Sequence, residues 1–248
     1  MEERKHFVLV HGACLGAWCC TKSAIDLGAS GVNSKRLDDE IASISDYLQP
    51  LMEFMACLPQ EKKVILVGHS YSGLCISLTM ENFHKKISVA VFISAYMPHY
   101  KSPPAALIQE YFNRTPVESL LDCQFTFNKG LENPPTSALF GAEYMKTVLC
   151  KRCKLEDLEL TKMLVRPTGF FVEDLSKESL LTKEKFGSVD RVYVICKEDE
   201  VMKEVFQRAM IEDYHPKQVV SISAAGHMVM LSKPEELCQI LLEDIAHK

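Results

Sequence analysis

The sequence of 248 residues lacks any apolar run near the roughly 20 residues that a membrane-spanning helix needs, and its first six residues, MEERKH, are mostly charged. It also lacks a basic cluster, because 28 Lys and Arg are scattered among 33 Asp and Glu, for a net charge of −5. These absences argue against a membrane protein, a secreted protein and a nucleic-acid-binding protein. The expected location is therefore the cytosol.

A second metal-type cysteine pair is also absent. Cys150 and Cys153 have C-x-x-C spacing, but a zinc site of this type needs another pair, and the other eight cysteines offer none. The cysteines of a cytosolic chain are expected to be free thiols. We therefore predict no metal site.

What is present is a strand, a tight turn and a helix-like stretch around Ser70. The apolar run at residues 64–67 meets GHSYSG at residues 68–73, and no Gly or Pro interrupts the next stretch. This layout resembles the G-x-S-x-G nucleophile elbow, in which a sharp turn exposes a serine hydroxyl to a base. Ser72 replaces the second glycine of that motif and Gly73 follows it, so some strain is expected. A plain polar turn is the alternative interpretation.

A second glycine-containing loop follows the first predicted strand. Residues 6–10 are apolar, and HGACLGAW at residues 11–18 comes next. Small residues after a strand allow backbone N–H groups to point into a cavity, as an oxyanion site requires. A β-to-α loop without a further role is the alternative.

The remaining pattern alternates strands with helices and predicts an α/β fold. Apolar spacing predicts a helix over residues 45–58, and SKPE at residues 232–235 predicts a capping box that opens the closing helix. Residues 98–185 contain many prolines and short amphipathic pieces, which indicates an inserted helical cap. The predicted core then comprises residues 1–97 and 186–248. Further strands are predicted at residues 23–27, 87–94, 191–196 and 219–223.

The first crossover of this fold is short. Only about ten residues separate His11 from the strand predicted at residues 23–27, whereas a parallel crossover through a helix normally takes at least about 10 to 12. Little room remains for a helix, so the first helix region is expected to be shortened.

Two polar residues follow later strands, at the sheet edge where the elbow lies. Asp199 comes after residues 191–196, and His227 comes after residues 219–223. The chain order Ser70, Asp199, His227 is that of the serine, acid and base of α/β-hydrolases. A histidine after a strand is more often structural, but three such residues in this order predict a catalytic triad.

These stretches resemble a family. HFVLVHGACLGAW, DLGASG, KVILVGHS, FGSV and GHM, with LDCQF and EDLELTKMLVRP in the cap, are similar to the plant methylesterase and hydroxynitrile lyase branch of the α/β-hydrolases. That branch includes salicylic-acid-binding methylesterases and polyneuridine aldehyde esterase. The resemblance implies that Ser70 attacks an ester carbonyl, that His227 moves its proton and that Asp199 orients His227. It also implies an oxyanion hole from the N–H groups of Ala13 and Tyr71, and no cofactor.

The same resemblance separates ester hydrolysis from cyanohydrin cleavage. The lyases carry Thr and Lys where this chain has Gly12 and Met228, so a hydroxyl and a charge for cyanide are missing here. The implied substrates are methyl esters of small hydrophobic acids, such as methyl salicylate, methyl jasmonate and methyl indole-3-acetate. A non-catalytic small-molecule binding protein on the same fold is the alternative, and homodimerisation is left open. The implied substrate-binding residues are Gly12, Tyr111, Leu120, Phe125, Leu139 and Met228, although the aromatic ones also fit a cap core.

The chain departs from this family between Trp18 and Asp26, where about a dozen residues are missing. A missing helix of that size exposes several hundred Å² of apolar sheet, which costs several kcal/mol at about 25 cal/mol per Å². A fold of marginal stability is therefore expected. A truncated product that does not fold is a further alternative.

Overall fold

The centre of the molecule is a five-stranded parallel sheet, seen in a computed structural model that describes residues 6–20, 22 and 41–245. The strands stand in the order β1-β2-β3-β7-β8, with β4 to β6 in a separate small sheet. All five predicted strands that fall within the described residues are present, with ends that shift by at most two residues. Their bounds are His6–Val10 (β1), Val64–His69 (β2), Ile87–Ile93 (β3), Asp190–Cys196 (β7) and Gln218–Ile222 (β8). The strand predicted at residues 23–27 and the residues missing after Trp18 concern a segment outside the described residues.

Helices connect these strands. The helix predicted over residues 45–58 begins one residue earlier, because the Ser43 hydroxyl accepts a hydrogen bond from the Asp46 N–H at 3.1 Å and the Asp46 carboxylate accepts one from the Ser43 N–H. The bounds are Ile44–Cys57 (α1), Ser72–Phe83 (α2), Glu204–Tyr214 (α7), Val229–Ser232 (α8) and Pro234–Gln239 (α9), and α9 continues as a π-helical turn over Ile240–Ile245. Short 3₁₀ turns occur at Ala17–Cys20, His84–Lys86 and Phe186–Ser188.

The capping box predicted at Ser232 is wrong. Ser232 is the last residue of α8, and its hydroxyl donates to the Met228 carbonyl at 3.1 Å. Lys233 occupies the N-cap of α9 and makes no side-chain cap bond. Pro234 does lie at the first helical position, as predicted. The serine that the sequence pattern assigned to the cap of α9 is therefore the last residue of α8, which ends just before α9 begins.

The segment between β3 and β7 contains more than helices. Three short antiparallel strands pair in the order β4-β5-β6, which the sequence pattern did not predict because strands of two or three residues show no alternation. The bounds in this segment are Ala105–Arg114 (α3), a 3₁₀ turn Val117–Leu120, Gln124–Thr126 (β4), Ser137–Leu139 (β5), Ala142–Tyr144 (α4) continuing as a π-helical turn Met145–Leu149, Leu155–Leu164 (α5), Thr168–Gly169 (β6) and Val172–Leu175 (α6).

Two apolar clusters cover the two faces of the large sheet. One contains Val64 and Leu66 of β2 together with Ile108 and Phe170 from the segment between β3 and β7, which is called the cap segment below. The other contains Ile65, as well as Leu237 and Leu241 of the closing helix. Strand β2 is fully buried, whereas the apolar residues of β1, the edge strand of the described sheet, are only half-buried.

No helix among residues 6–20, 22 and 41–245 is long and apolar enough to cross a membrane.

Candidate active site

The carboxyl ends of the strands meet at one edge of the sheet. Val10 pairs with Gly68, and Cys196 pairs with Ile222, so the loops that follow β1, β2, β7 and β8 begin at the same edge. This is the edge at which ligands bind in open parallel sheets. The structure thus brings together the loops that carry Gly12, Ser70, Asp199 and His227.

Ser70 occupies the sharp turn between β2 and α2. Its φ of 57° lies in the left-handed region, which costs free energy for a residue other than glycine. Neighbouring backbone holds this conformation, because the Ser70 carbonyl accepts hydrogen bonds from the N–H groups of Gly73 and Tyr96, both at 3.1 Å. Ser70 is partly exposed.

Ser72, the departure from the elbow motif, is accommodated by hydrogen bonds. Its buried hydroxyl accepts from the His69 N–H at 2.8 Å and lies 2.7 Å from the Val10 carbonyl oxygen, to which it donates. The glycine that the elbow needs is Gly73. A Cβ placed there would lie 2.0 Å from the Tyr96 carbonyl oxygen.

The three residues predicted as a triad are in hydrogen-bond contact. His227 Nε2 lies 2.9 Å from Ser70 Oγ, and His227 Nδ1 lies 2.7 Å from Asp199 Oδ2. His227 and Asp199 are buried, at 2% and 4% exposure. An imidazole held in this way by a carboxylate keeps its Nδ1 protonated and presents Nε2 to the serine as a base. The arrangement can therefore take the Ser70 proton.

The acid of this triad is held by further donors. Asp199 Oδ1 accepts from the N–H groups of Val201 and Met202, both at 2.8 Å, and the Ser94 hydroxyl donates to Asp199 Oδ2. Sequence reasoning missed Ser94, which it placed at the end of the strand predicted over residues 87–94 and which directly follows β3 at the same edge. It also missed Gln207, a buried side chain whose amide donates to the Cys196 carbonyl at 3.0 Å and to the Met202 carbonyl at 2.6 Å.

His69, the residue before the nucleophile, is hydrogen-bonded to the backbone of the base, His227. Its Nε2 lies 2.9 Å from the His227 carbonyl oxygen, and the two rings are 4.6 Å apart. Its Nδ1 is buried and has no hydrogen-bond partner within the described structure. Burial, aided by the neighbouring His227, holds the pKa of His69 well below 6.5, so this imidazole is neutral and its Nε2–H donates to the carbonyl.

The buried histidines predict an acid-sensitive fold. Burial also lowers the pKa of His11, so the unfolded chain binds protons at His69 and His11 before the folded chain does. The free energy of unfolding should therefore fall as the pH drops below about 6.5, by up to about 1.4 kcal/mol per pH unit for each histidine. His69→Gln keeps an amide donor for the His227 carbonyl and should make this slope shallower by about 1 kcal/mol per pH unit. Urea unfolding between pH 7 and pH 5 measures both slopes.

His6→Gln is the matched control, because it removes an exposed imidazole at the start of β1. Its slope should equal that of the wild type. An unchanged slope in His69→Gln would contradict the burial argument. The pKa values of Asp122 and Asp174 are lowered below 3.8 mainly by hydrogen bonds. These residues therefore affect the slope only below about pH 4, where the unfolded chain begins to bind their protons.

The loop after β1 lies against the nucleophile. A Cβ on Gly12 would come 2.9 Å from Ser70 Cβ, so glycine lets the loop approach. Cys14 fastens the loop to the cap segment, since its N–H donates to Thr168 Oγ1 at 2.7 Å and its carbonyl accepts from Arg166 N at 3.1 Å. Ala13, which lies between Gly12 and Cys14 in the chain, is buried. The role of the Ala13 N–H as an oxyanion donor stays a prediction.

Tyr71, the other predicted oxyanion donor, directly follows Ser70. Its side chain is buried and its hydroxyl donates to the Phe170 carbonyl at 2.8 Å, which ties the elbow to the cap segment. The Tyr71 N–H is thus held in place at the start of α2, although its role as an oxyanion donor stays a prediction.

The predicted substrate-binding residues lie in different surroundings. Tyr111 packs with its ring 6.0 Å from that of Tyr96, and Phe125 lies 5.9 Å from the Phe112 ring, both against the cluster on the cap side of the sheet. Leu120 and Leu139 are half-buried in the cap segment. Met228 is 1% exposed and belongs to the cluster on the opposite face. Contact of these side chains with a substrate stays a prediction.

Residues 6–20, 22 and 41–245 contain no group of three or more His, Cys, Asp or Glu side chains arranged to hold a metal ion. Burial raises the pKa of the Cys14 thiol, beside the site, to about 12, so this cysteine is not a nucleophile at neutral pH.

A parallel sheet with a serine elbow, and a histidine and an aspartate at neighbouring strand ends, defines a hydrolase of the α/β class. The model of the "Alpha/beta hydrolase family" matches residues 7–240, and the chain belongs to this family.

Among its relatives are plant esterases. "Methylesterase 10" of Arabidopsis thaliana is 49% identical over 259 positions that cover 100% of this chain and 94% of that protein. "Methyl jasmonate esterase 1" of Vitis vinifera is 48% identical and covers 98% of each chain. The crystal structure of polyneuridine aldehyde esterase superposes with a TM-score of 0.90 at 40% identity, covering 98% of this chain and 100% of that one. The resemblance to the plant methylesterase family is thereby confirmed. Because 259 positions exceed 248 residues, Methylesterase 10 also has residues with no counterpart here.

Proposed function

We propose that this protein is a serine carboxylesterase that removes the methyl group from methyl esters of small hydrophobic acids, of the methyl jasmonate, methyl salicylate and methyl indole-3-acetate type. The observation that carries the proposal is the continuous hydrogen-bonded line from Ser70 Oγ through His227 to Asp199, at 2.9 and 2.7 Å. The esterases among the relatives support the reaction class.

In the first half of the reaction, His227 Nε2 takes the Ser70 proton while Ser70 Oγ attacks the ester carbonyl carbon. Negative charge develops on the carbonyl oxygen, and we assign its stabilisation to the N–H groups of Ala13 and Tyr71. Each such donor is typically worth about 3 to 4 kcal/mol. When the tetrahedral intermediate collapses, the imidazolium of His227 protonates the departing methanol. The product is an acyl-enzyme on Ser70.

In the second half, water replaces methanol. His227 takes a proton from the water, which attacks the acyl carbon, and the free acid leaves as Ser70 recovers its proton. Asp199 stays ionised throughout and stabilises the imidazolium, and its four hydrogen-bonded contacts hold it in the required orientation. The chemistry needs no cofactor.

Specificity for neutral esters follows from the side chains assigned to substrate binding. None of these side chains carries a charge, so a free carboxylate bound among them would lose its hydration without gaining a cation. They are Tyr111, Leu120, Phe125, Leu139 and Met228. Gly12 and Met228 likewise offer no hydroxyl or charge for a departing cyanide, which disfavours cyanohydrin cleavage. The cytosolic location and self-association stay predictions.

The test incubates the purified protein with each of the three methyl esters and follows free acid and methanol by chromatography, beside Ser70→Ala. Ser70-dependent release of both products is the expected result. Saturable binding of an ester by the wild type without release would replace the esterase with a binding protein. Absence of a cooperative thermal transition would show that the chain does not fold.

A further inference from the structure

Ser94, the residue that follows β3, lies between the nucleophile and the acid of the triad. Its hydroxyl donates to Asp199 Oδ2, the same oxygen that lies 2.7 Å from His227 Nδ1. The residue before it, Ile93, accepts a hydrogen bond from the Ser70 N–H at 3.3 Å. Two consecutive residues at the end of β3 therefore connect the backbone of the nucleophile with the side chain of the acid.

The surrounding backbone fixes the direction of the Ser94 side chain. The φ of Ser94 is 38°, in the left-handed region, which is strained for a residue other than glycine. The Ser94 N–H donates to the Val194 carbonyl at 2.9 Å. The Tyr193 hydroxyl bonds both the N–H and the carbonyl of the next residue, Ala95. Because Ser94 is also fully buried, its hydroxyl is a fixed donor to Asp199 that bulk water does not replace.

This hydroxyl completes the hydrogen bonds of the buried Asp199 carboxylate. Oδ1 accepts from the N–H groups of Val201 and Met202, and Oδ2 contacts the Ser94 hydroxyl and His227 Nδ1. A carboxylate has about four acceptor sites, so each site has a partner. Two of the partners are backbone groups and a third is the base itself. Among the described residues, Ser94 is therefore the one side chain outside the triad that hydrogen-bonds to this carboxylate.

Titratable groups of the described residues that interact with Asp199 and His227 are themselves uncharged at neutral pH. Burial, aided by His227, holds the pKa of His69 well below its ordinary value. Burial also raises the pKa values of the acidic groups that the Asp199 charge reaches, and that charge raises them further. These groups are Tyr111, Tyr144, Tyr193 and Cys196. None of them supplies a charge that competes with that of Asp199.

The carboxylates that flank Asp199 in the chain are exposed and paired. Glu200 Oε1 lies 2.8 Å from Lys151 Nζ, and the Glu198 carboxylate pairs with the Arg152 guanidinium. Both cations belong to the turn at residues 150–153. Because the two glutamate side chains are 43% and 40% exposed, solvent and salt screen these pairs. The Asp199 carboxylate is therefore the charge to which His227 responds most strongly.

We propose that Ser94 is a positioning residue of the triad, which orients the Asp199 carboxylate and takes up part of its negative charge, so that His227 remains an unprotonated base at lower pH. The proposal rests on the serine esterase function proposed above. A hydroxyl that donates to a carboxylate stabilises the charge where it is and leaves less of it to hold a proton on the neighbouring imidazole. Without this hydroxyl, His227 should take up a proton at higher pH, and the imidazolium cannot accept the Ser70 proton.

The test measures the rate at which a fluorophosphonate labels Ser70 as a function of pH, a reaction that needs the base but no particular ester. The rate should rise with pH to a plateau, and Ser94→Ala should move the pH of the half-maximal rate upward by about 0.5 or more. Circular dichroism at each pH verifies that the protein stays folded. Ser88→Ala is the matched control, because Ser88 lies near the start of β3 and its hydroxyl donates to the Val64 carbonyl at 3.1 Å. Its half-maximal pH should equal that of the wild type.

Ser94→Gly separates this role from a purely structural one. Glycine removes the same hydroxyl but adopts a φ of 38° without strain, so Ser94→Gly should be more stable in urea than Ser94→Ala. Both variants should nevertheless raise the half-maximal pH by a similar amount, because both leave the same oxygen of Asp199 without its donor.

Two outcomes would overturn the role of Ser94 alone. One is a wild type that is labelled, with the same half-maximal pH in both variants. The other is a shift in Ser94→Ala that Ser94→Gly lacks, which would show that the alanine acts through stability. A wild type that unfolds cooperatively but is labelled at no pH would overturn the proposed function, and the role of Ser94 with it.

Discussion

Replacing Ser70 by alanine should lower kcat for methyl ester hydrolysis by about 10⁶-fold, and replacing His227 by alanine should cost about as much. The reason is that the two side chains act as one unit through the 2.9 Å contact between His227 Nε2 and Ser70 Oγ. Without the hydroxyl no acyl-enzyme forms, and without the imidazole the hydroxyl stays protonated. The double variant should therefore be no slower than either single variant. Kinetics at saturating ester measure this non-additivity.

Asp199→Asn should cost less, about 10⁴-fold in kcat, because it keeps the geometry but removes the charge that stabilises the imidazolium. An amide that donates to His227 Nδ1 also favours the wrong tautomer.

Ser77→Ala is the matched control for Ser70→Ala, since Ser77 is a buried serine of α2 whose hydroxyl donates to the Gly73 carbonyl at 2.7 Å. Ser77→Ala should still be labelled by a fluorophosphonate, and Ser70→Ala should not. Equal labelling of both variants would refute Ser70 as the nucleophile.

Gly73→Ala should unfold the protein or destabilise it by roughly 4 kcal/mol or more, the range of severe single substitutions. The added Cβ would lie 2.0 Å from the Tyr96 carbonyl oxygen, which is a backbone atom. That backbone cannot move aside, because the Tyr96 N–H donates to the Ser70 carbonyl and the Tyr193 hydroxyl bonds both the N–H and the carbonyl of Ala95, at 3.1 and 3.0 Å. The clash therefore strains the elbow itself.

Urea unfolding followed by circular dichroism measures this loss. Gly187→Ala is the matched control, because a Cβ there meets its nearest atoms only at 3.6 Å. We expect the control to stay within about 0.5 kcal/mol of the wild type. Similar unfolding midpoints for the two variants would show that the contact between α2 and the segment after β3 is not tight.

Sequence reasoning succeeded where the signal is local. Strand β2 contains the buried apolar run at residues 64–67, and β7 contains the buried run at residues 192–196; such runs are visible without knowledge of their neighbours. It failed where neighbouring elements compete for a residue, as at Ser232, which α8 retains. It also missed the hydrogen bonds that the Ser72 hydroxyl makes with His69 and Val10; the strain expected at the elbow stays a prediction.

The order and types of Ser70, Asp199 and His227, each after an apolar strand, were enough to specify the reaction class, because parallel strands bring their carboxyl ends to one edge whatever the intervening segments do. Tertiary structure alone decided which groups hold these residues. Ser94 reaches Asp199 across 105 positions of the chain, and the turn at residues 150–153 reaches Glu198 across 46. Such contacts depend on strand register and on how the cap segment sits over the sheet, and no local pattern encodes either.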